Sequence, residues 1–191
     1  NSSGKLLGQD GKPISFNIDV VSAWTDAVTD AQIIAQGFTD MGLTVKVNTI
    51  DFTPWYNGWQ NGTFDTLFAW TNGGPTPWSE YDGLFDSSTS AAVGQPANTD
   101  WERFNDPNIT SLLHQYATTN DLSTQKQIMS TIEGIMVNQV PVIPFDVSVG
   151  YYEYSTKHFT GWPTKADLFE APSPYNSPDA ARIVLKLTPK G

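Results

Sequence analysis

An α/β fold is predicted by the order of patterned segments in the amino-terminal part of the chain: strand, helix, strand, short helix, strand. Three observations carry this. Apolar residues alternate with polar ones at Ile14, Phe16, Ile18 and Val20, and again at Leu43, Val45 and Val47, the period of a half-buried strand. Between them Val28, Ala31, Ile34, Ala35 and Phe38 form an apolar stripe at helical spacing. The run Phe64 to Trp70 (FDTLFAW) then has the length and composition of a third, buried strand.

Taken in order, the first strand ends near Ala23, and Thr25 or Asp26 is placed to cap the helix that Gly42 stops. Asp51 to Gly62 (DFTPWYNGWQNG) reads as a short helix or turn returning the chain to the third strand. A helical piece around Glu80 to Phe85 leads into a small, polar loop, Ser87 to Thr99. Two helices are predicted next. One runs near Ile109 to Thr118, and the other from Ser123 or Thr124 to Gln139, where Thr124 and Gln127 have the spacing of a capping box. Pro141 and Pro144 end the second helix, and VIPFDVSVGYYEY reads as extended chain or strand. Gly161 to Pro178 is proline-rich and irregular, and Arg182 to Leu187 (RIVLKL) reads as a last strand.

Composition narrows the function. With 191 residues the chain is long enough for one domain with a core. Ten basic against twenty acidic residues give a net charge of -10, which repels nucleic acid and anionic lipid surfaces. The absence of cysteine removes disulfides, thiol catalysis and thiolate metal sites. No apolar run reaches the roughly 18 residues of a membrane span. The start, Asn1-Ser2-Ser3-Gly4, reads as a processed product or an excised piece of something longer. His114 and His158 share no metal-ligand spacing, no calcium-loop pattern occurs, and neither a GxSxG elbow nor a phosphate loop is present. No cofactor is expected.

Aromatic residues are the remaining signal. Trp24 follows the first strand; Trp55, Tyr56 and Trp59 follow the second; Trp70 and Trp78 bracket the loop after the third, WTNGGPTPW. If these strands are parallel, the three loops share one sheet edge, where open α/β sheets bind ligands. Each ring taken alone is better explained by core packing; the coincidence across three loops favours a common binding surface. Thr71, Asn72 and Thr76 add hydrogen-bonding groups without charge, which suits a neutral, hydroxyl-rich ligand. Candidate ligand residues are therefore Trp24, Trp55, Trp70, Thr71, Asn72, Thr76 and Trp78. The alternative from another class is a glycosidase using Glu80 with Asp82 or Asp86, since a pair of acids is what that chemistry needs.

The stretch Trp101 to Tyr154 resembles the carboxyl-terminal lobe of the family 5 extracellular solute-binding proteins of ABC importers. The matching positions are Arg103-Phe104-Asn105-Asp106-Pro107, the leucines Leu112 and Leu113, the Pro141-x-Ile143-Pro144 segment, and Tyr151 and Tyr154. Gly161-Trp162 and RIVLKL resemble the family's ending. The resemblance implies a periplasmic-binding-protein-like lobe, a mixed sheet flanked by helices, over residues 1–171, with a tail over 172–191 whose strand would return to an amino-terminal lobe missing from this chain. It further implies a non-enzymatic receptor, periplasmic or a cell-surface lipoprotein, that closes two lobes on a solute and delivers it to a membrane permease. Peptide-binding members carry an acid in the loop matching WTNGGPTPW. Here that loop is uncharged, with Thr76 before Pro77, and is more similar to the oligosaccharide-binding branch. An oligosaccharide of the β-glucan type is the expected solute, with an oligopeptide or dipeptide as the alternative.

Overall fold

The computed structural model describes residues 4–71, 76–145, 152–172 and 178–190. They fall into two compact units, Asn1–Ile143 and Pro144–Gly191.

The first unit begins with β1 (Ser15–Val21), α1 (Thr25–Asp40), β2 (Thr44–Ile50), α2 (Phe52–Asn61) and a short β3 (Thr66–Leu67). The strands form a parallel sheet in the order β2-β1-β3, with Ser15 opposite Thr44, Val21 opposite Ile50, and Ile18 opposite Thr66. Alternation along β1 sends Ile18 and Val20 to one face and Val21 to the other. On the first face they pack with Ala31 and Ala35 of α1; on the second, Val21 packs with Trp55 and Trp59 of α2. This order reverses direction at β1, the topological switch point of a doubly wound sheet, so a crevice is expected beyond the carboxyl ends of β1 and β3.

The later part of this unit carries α3 (Pro77–Phe85), a 3₁₀ turn at Ser87–Thr89, an irregular stretch over 90–106, α4 (Pro107–Thr118) and α5 (Leu122–Gln139). Leu84, Phe85, Ile109, Leu113, Ile128, Met129 and Ile132 form its core. In the second unit β4 (Phe159–Thr160) pairs antiparallel with β5 (Thr188–Pro189), and α6 spans Asp179–Lys186.

Several local expectations give way to identifiable competitors. Neither Thr25 nor Asp26 caps α1. Trp24 takes the cap position, its carbonyl accepting from Val28 N at 2.8 Å with no side-chain cap, so the helix starts directly after the strand's turn. The expected third strand shrinks to Thr66–Leu67. The Asp65 carboxylate accepts the Asn17 N–H at 3.0 Å, occupying a donor that a longer β3 would need. In place of a Thr124–Gln127 box, Asp121 caps α5, its carboxylate accepting from Thr124 N at 2.8 Å. Val142–Phe145 and Tyr152–Ser155 are irregular rather than a strand; the intervening residues lie outside those described. Finally, RIVLKL is not a strand. Asp179-Ala180-Ala181 precede it and continue it into α6, where Ile183 is buried while Val184 and Leu185 are exposed. Two alanines supply the helix propensity that reading from Arg182 onward misses.

Candidate functional site: an aromatic layer at the sheet edge

The parallel sheet does bring loops from three strand ends together. Trp24, at the end of β1, lies 5.6 Å from Trp70, beyond β3, and 4.9 Å from Trp55 of α2, between ring centroids. Phe52, the first residue of α2, completes the group 6.3 Å from Trp70, with planes only 7° apart. Tyr56 lies 5.7 Å from Phe52 at 11°, one helical turn along. Phe52, Tyr56 and Trp70 thus present three nearly parallel ring planes.

Exposure sorts these rings into two layers. Phe52 and Trp70 are 48% and 44% exposed, and Trp24 is half-buried. Beneath them Trp55 and Trp59 are 1% and 2% exposed. Trp55 therefore cannot offer a face to a solute, and its place among the candidate ligand residues is corrected to that of a floor. Burying two indoles there while leaving large apolar rings open above is not what core packing alone selects.

The remaining candidates divide. Thr71 and Thr76 are exposed on either side of the loop, and Asn72 lies outside the described residues. Trp78 sits on the helical core instead, where its indole N–H donates to the Leu113 carbonyl at 3.0 Å. Phe52 is the residue that sequence reasoning missed. The signal was available: like Trp24, it closely follows a strand end, and Pro54, tolerated only in the first turn of a helix, marks a helix start.

A second cluster adjoins the floor. Trp101 packs 4.0 Å from Trp59, and its indole N–H donates to Ala97 O at 3.0 Å. The turn around it carries two left-handed residues, Asp100 (φ 47°) and Arg103 (φ 56°). Asp100 is fully buried and burial pushes its carboxyl up to about 7, with Ser90 and the Phe104 N–H pulling it back only in part. Burial likewise raises Glu102, against a backbone N–H and the Trp59 indole.

The acids weighed as catalysts lie on the helical side. Burial and then the neighbouring Asp86 raise Asp82. For Asp86 burial works upward too, but hydrogen bonds from Ser88 and His114 outweigh it and hold the carboxylate below its ordinary range. Asp86 accepts from Ser88 N at 3.0 Å and lies 3.2 Å from His114 Nε2, so its oxygens cap the 3₁₀ turn and hold a histidine. Among the described residues no three His, Asp or Glu side chains gather as metal ligands, and no helix is long and apolar enough to cross a membrane.

No protein-family model and no curated protein matches the chain. Solved structures do. A periplasmic oligopeptide-binding protein of an oligopeptide ABC transporter from Thermotoga maritima, solved with mannohexaose bound, matches at a TM-score of 0.84 and 21% identity, over 100% of this chain and 36% of that one. The murein tripeptide-binding protein MppA of Escherichia coli matches at 0.57 and 20% identity, over 71% of this chain and 25% of that one. DppA of Helicobacter pylori, an ABC transporter-associated periplasmic binding protein in complex with the peptide STSA, matches at 0.58 and 15% identity, over 67% and 24%. These neighbours are family 5 solute-binding proteins of ABC transporters, and what the chain shares with them is the fold. It spans about a third of their length or less, 36% of the first.

Proposed function

We propose, starting from the fold shared with these periplasmic binding proteins, that the chain is one lobe of a solute-binding receptor of an ABC importer. The receptor works outside the cytoplasm, holds an oligosaccharide of the β-glucan type between two lobes, and delivers it to a membrane permease. One observation carries the substrate class: the layer of Trp24, Phe52 and Trp70, open above a floor of buried indoles at the carboxyl edge of a parallel sheet. Flat apolar faces suit the C–H faces of sugar rings, and the hydroxyls of Thr71 and Thr76 suit a ligand that carries no charge. The sequence that begins at Trp70, WTNGGPTPW, carries no acid to pair with a peptide's ammonium, and an unpaired ammonium in a closed cleft is costly. The mannohexaose in the Thermotoga structure supports a saccharide in this fold.

The second reading, an oligopeptide receptor, is favoured by the peptide in the Helicobacter structure; it needs an acid beyond the uncharged WTNGGPTPW loop, which the other lobe could supply. Of the acids a glycosidase would use, Asp86 is committed to Ser88 and His114, which leaves Glu80 with Asp82 as the pair that a turnover test addresses. Calorimetry on the complete receptor with cello-oligosaccharides and with short peptides tests the assignment. Saccharide heat without release of reducing ends supports it. Turnover abolished by Glu80→Gln would overturn the receptor reading.

A further inference from the structure

The carboxyl end of α2 is not left to water. Its last carbonyls are taken by the segment that follows the 3₁₀ turn: Gly94 N donates to Asn61 O at 2.8 Å and Ala97 N to Gln60 O at 3.0 Å. Arg103 closes the arrangement. Its Nη2 donates to Gln60 O at 2.8 Å and to Gln95 O at 2.9 Å, and its Nη1 to Trp101 O at 2.6 Å. The guanidinium fits there because Gly62, which ends α2 at φ 65°, has no Cβ; one would stand 2.4 Å from Arg103 Cζ. A non-glycine residue at φ 56° is strained, and Arg103 is held so because that backbone aims the side chain back at α2.

We propose that Arg103 is a positioning residue for the aromatic layer. It touches none of the exposed rings. By fixing the end of α2 and seating Trp101 against Trp59, it sets the pitch of a helix that carries Phe52, Tyr56, Trp55 and Trp59 as one body. Trp24 and Trp70 hang from strand ends instead, so the near-parallel setting of Phe52 on Trp70 depends on where α2 lies. A cation at a helix carboxyl terminus also complements the helix dipole. A lysine keeps the charge but cannot span three carbonyls with a planar fork. The inference rests on the oligosaccharide reading only for its affinity arm.

A double-mutant cycle on the complete receptor tests it, using Arg103→Met, Phe52→Ala and the pair, with Arg103→Lys as a milder variant should the methionine fail to fold. Oligosaccharide affinity is read by calorimetry. A ¹⁵N-tryptophan spectrum reads the indole N–H signals, assigned by single Trp→Phe changes, without ligand. Each single change is expected to weaken binding about tenfold, and Phe52→Ala to cost little more once Arg103 is gone, because misaligned rings have already lost that contact. The Trp59 and Trp101 signals are expected to move in both Arg103 variants. Additive losses with unmoved indole signals would overturn the positioning role, leaving Arg103 a generic stabiliser. Moved indole signals in a receptor that binds no saccharide would uphold the positioning role and overturn the ligand assignment alone.

Discussion

Two tryptophans bracket one loop and meet opposite fates. Trp78 is half-buried, joins the core of α3, α4 and α5, and spends its indole N–H on Leu113 O. Trp70 is 44% exposed and lies within 6.3 Å of Trp24, Phe52, Trp55 and Trp59, centroid to centroid. The same side chain at the two ends of WTNGGPTPW thus serves as an anchor at one end and an open face at the other. The difference lies in what each end joins. Trp78 is the second residue of a helix that packs into the helical core, whereas Trp70 lies beyond β3 near the switch point, above the buried indoles of α2.

That contrast separates stability from binding, and substitutions can break it. The largest effect is expected beneath the open layer. Trp59→Ala removes a 2%-exposed indole and is expected to cost about 3–5 kcal/mol in urea unfolding, taking the layer with it. A loss below about 1 kcal/mol would mean that the floor is not packed as described.

Asp100 stands at the joint of the two regions: its N–H donates to Gly83 O of α3 at 2.9 Å, and Trp101 follows it. With a folded-state value of about 7 against an ordinary 3.8, the folded protein keeps this proton where the unfolded chain has lost it. Stability from this group is therefore greatest at low pH, falls as pH rises between those values, and is flat above them. Asp100→Asn is expected to remove the fall, gaining about 2 kcal/mol relative to the native protein between pH 5 and pH 8. Parallel stability curves for the two proteins would contradict the burial of an only partly compensated carboxyl.

Smaller effects divide the two tryptophans. Trp70→Ala is expected to weaken saccharide binding by about 2 kcal/mol, roughly 30-fold, while changing stability by less than about 1 kcal/mol. Trp78→Phe keeps the apolar ring and loses only the bond to Leu113, so a loss of about 1 kcal/mol in stability with unchanged affinity is expected. Reversed outcomes at these two positions would move the site to the other end of the loop.

The sheet was legible because its signals are local and repeated. Alternation at Phe16, Ile18 and Val20 and the stripe through Ala31 and Ala35 are each fixed by burial on one face, and both recur in the packing. The convergence of three strand ends followed from the element order on the condition that the strands run parallel, as they do. What failed depended on side chains competing for backbone groups: Asp65 shortening β3, Asp121 displacing Thr124 as a cap, and Ala180 and Ala181 extending a supposed strand into a helix. At the site the ring types could be named, but not their depth. Trp55 and Phe52 lie three residues apart in one helix; one is floor and the other open face, a distinction set by which way α2 rolls onto β1.

The central claim is that an uncharged aromatic layer selects a saccharide. Its most direct test is one calorimetric series on the complete receptor, titrated with a cello-oligosaccharide and with a tripeptide, in native and Trp70→Ala forms. The expected result is saturable heat with the saccharide, weakened about 30-fold by the substitution, and none with the tripeptide. Tight tripeptide binding with no saccharide heat would contradict it.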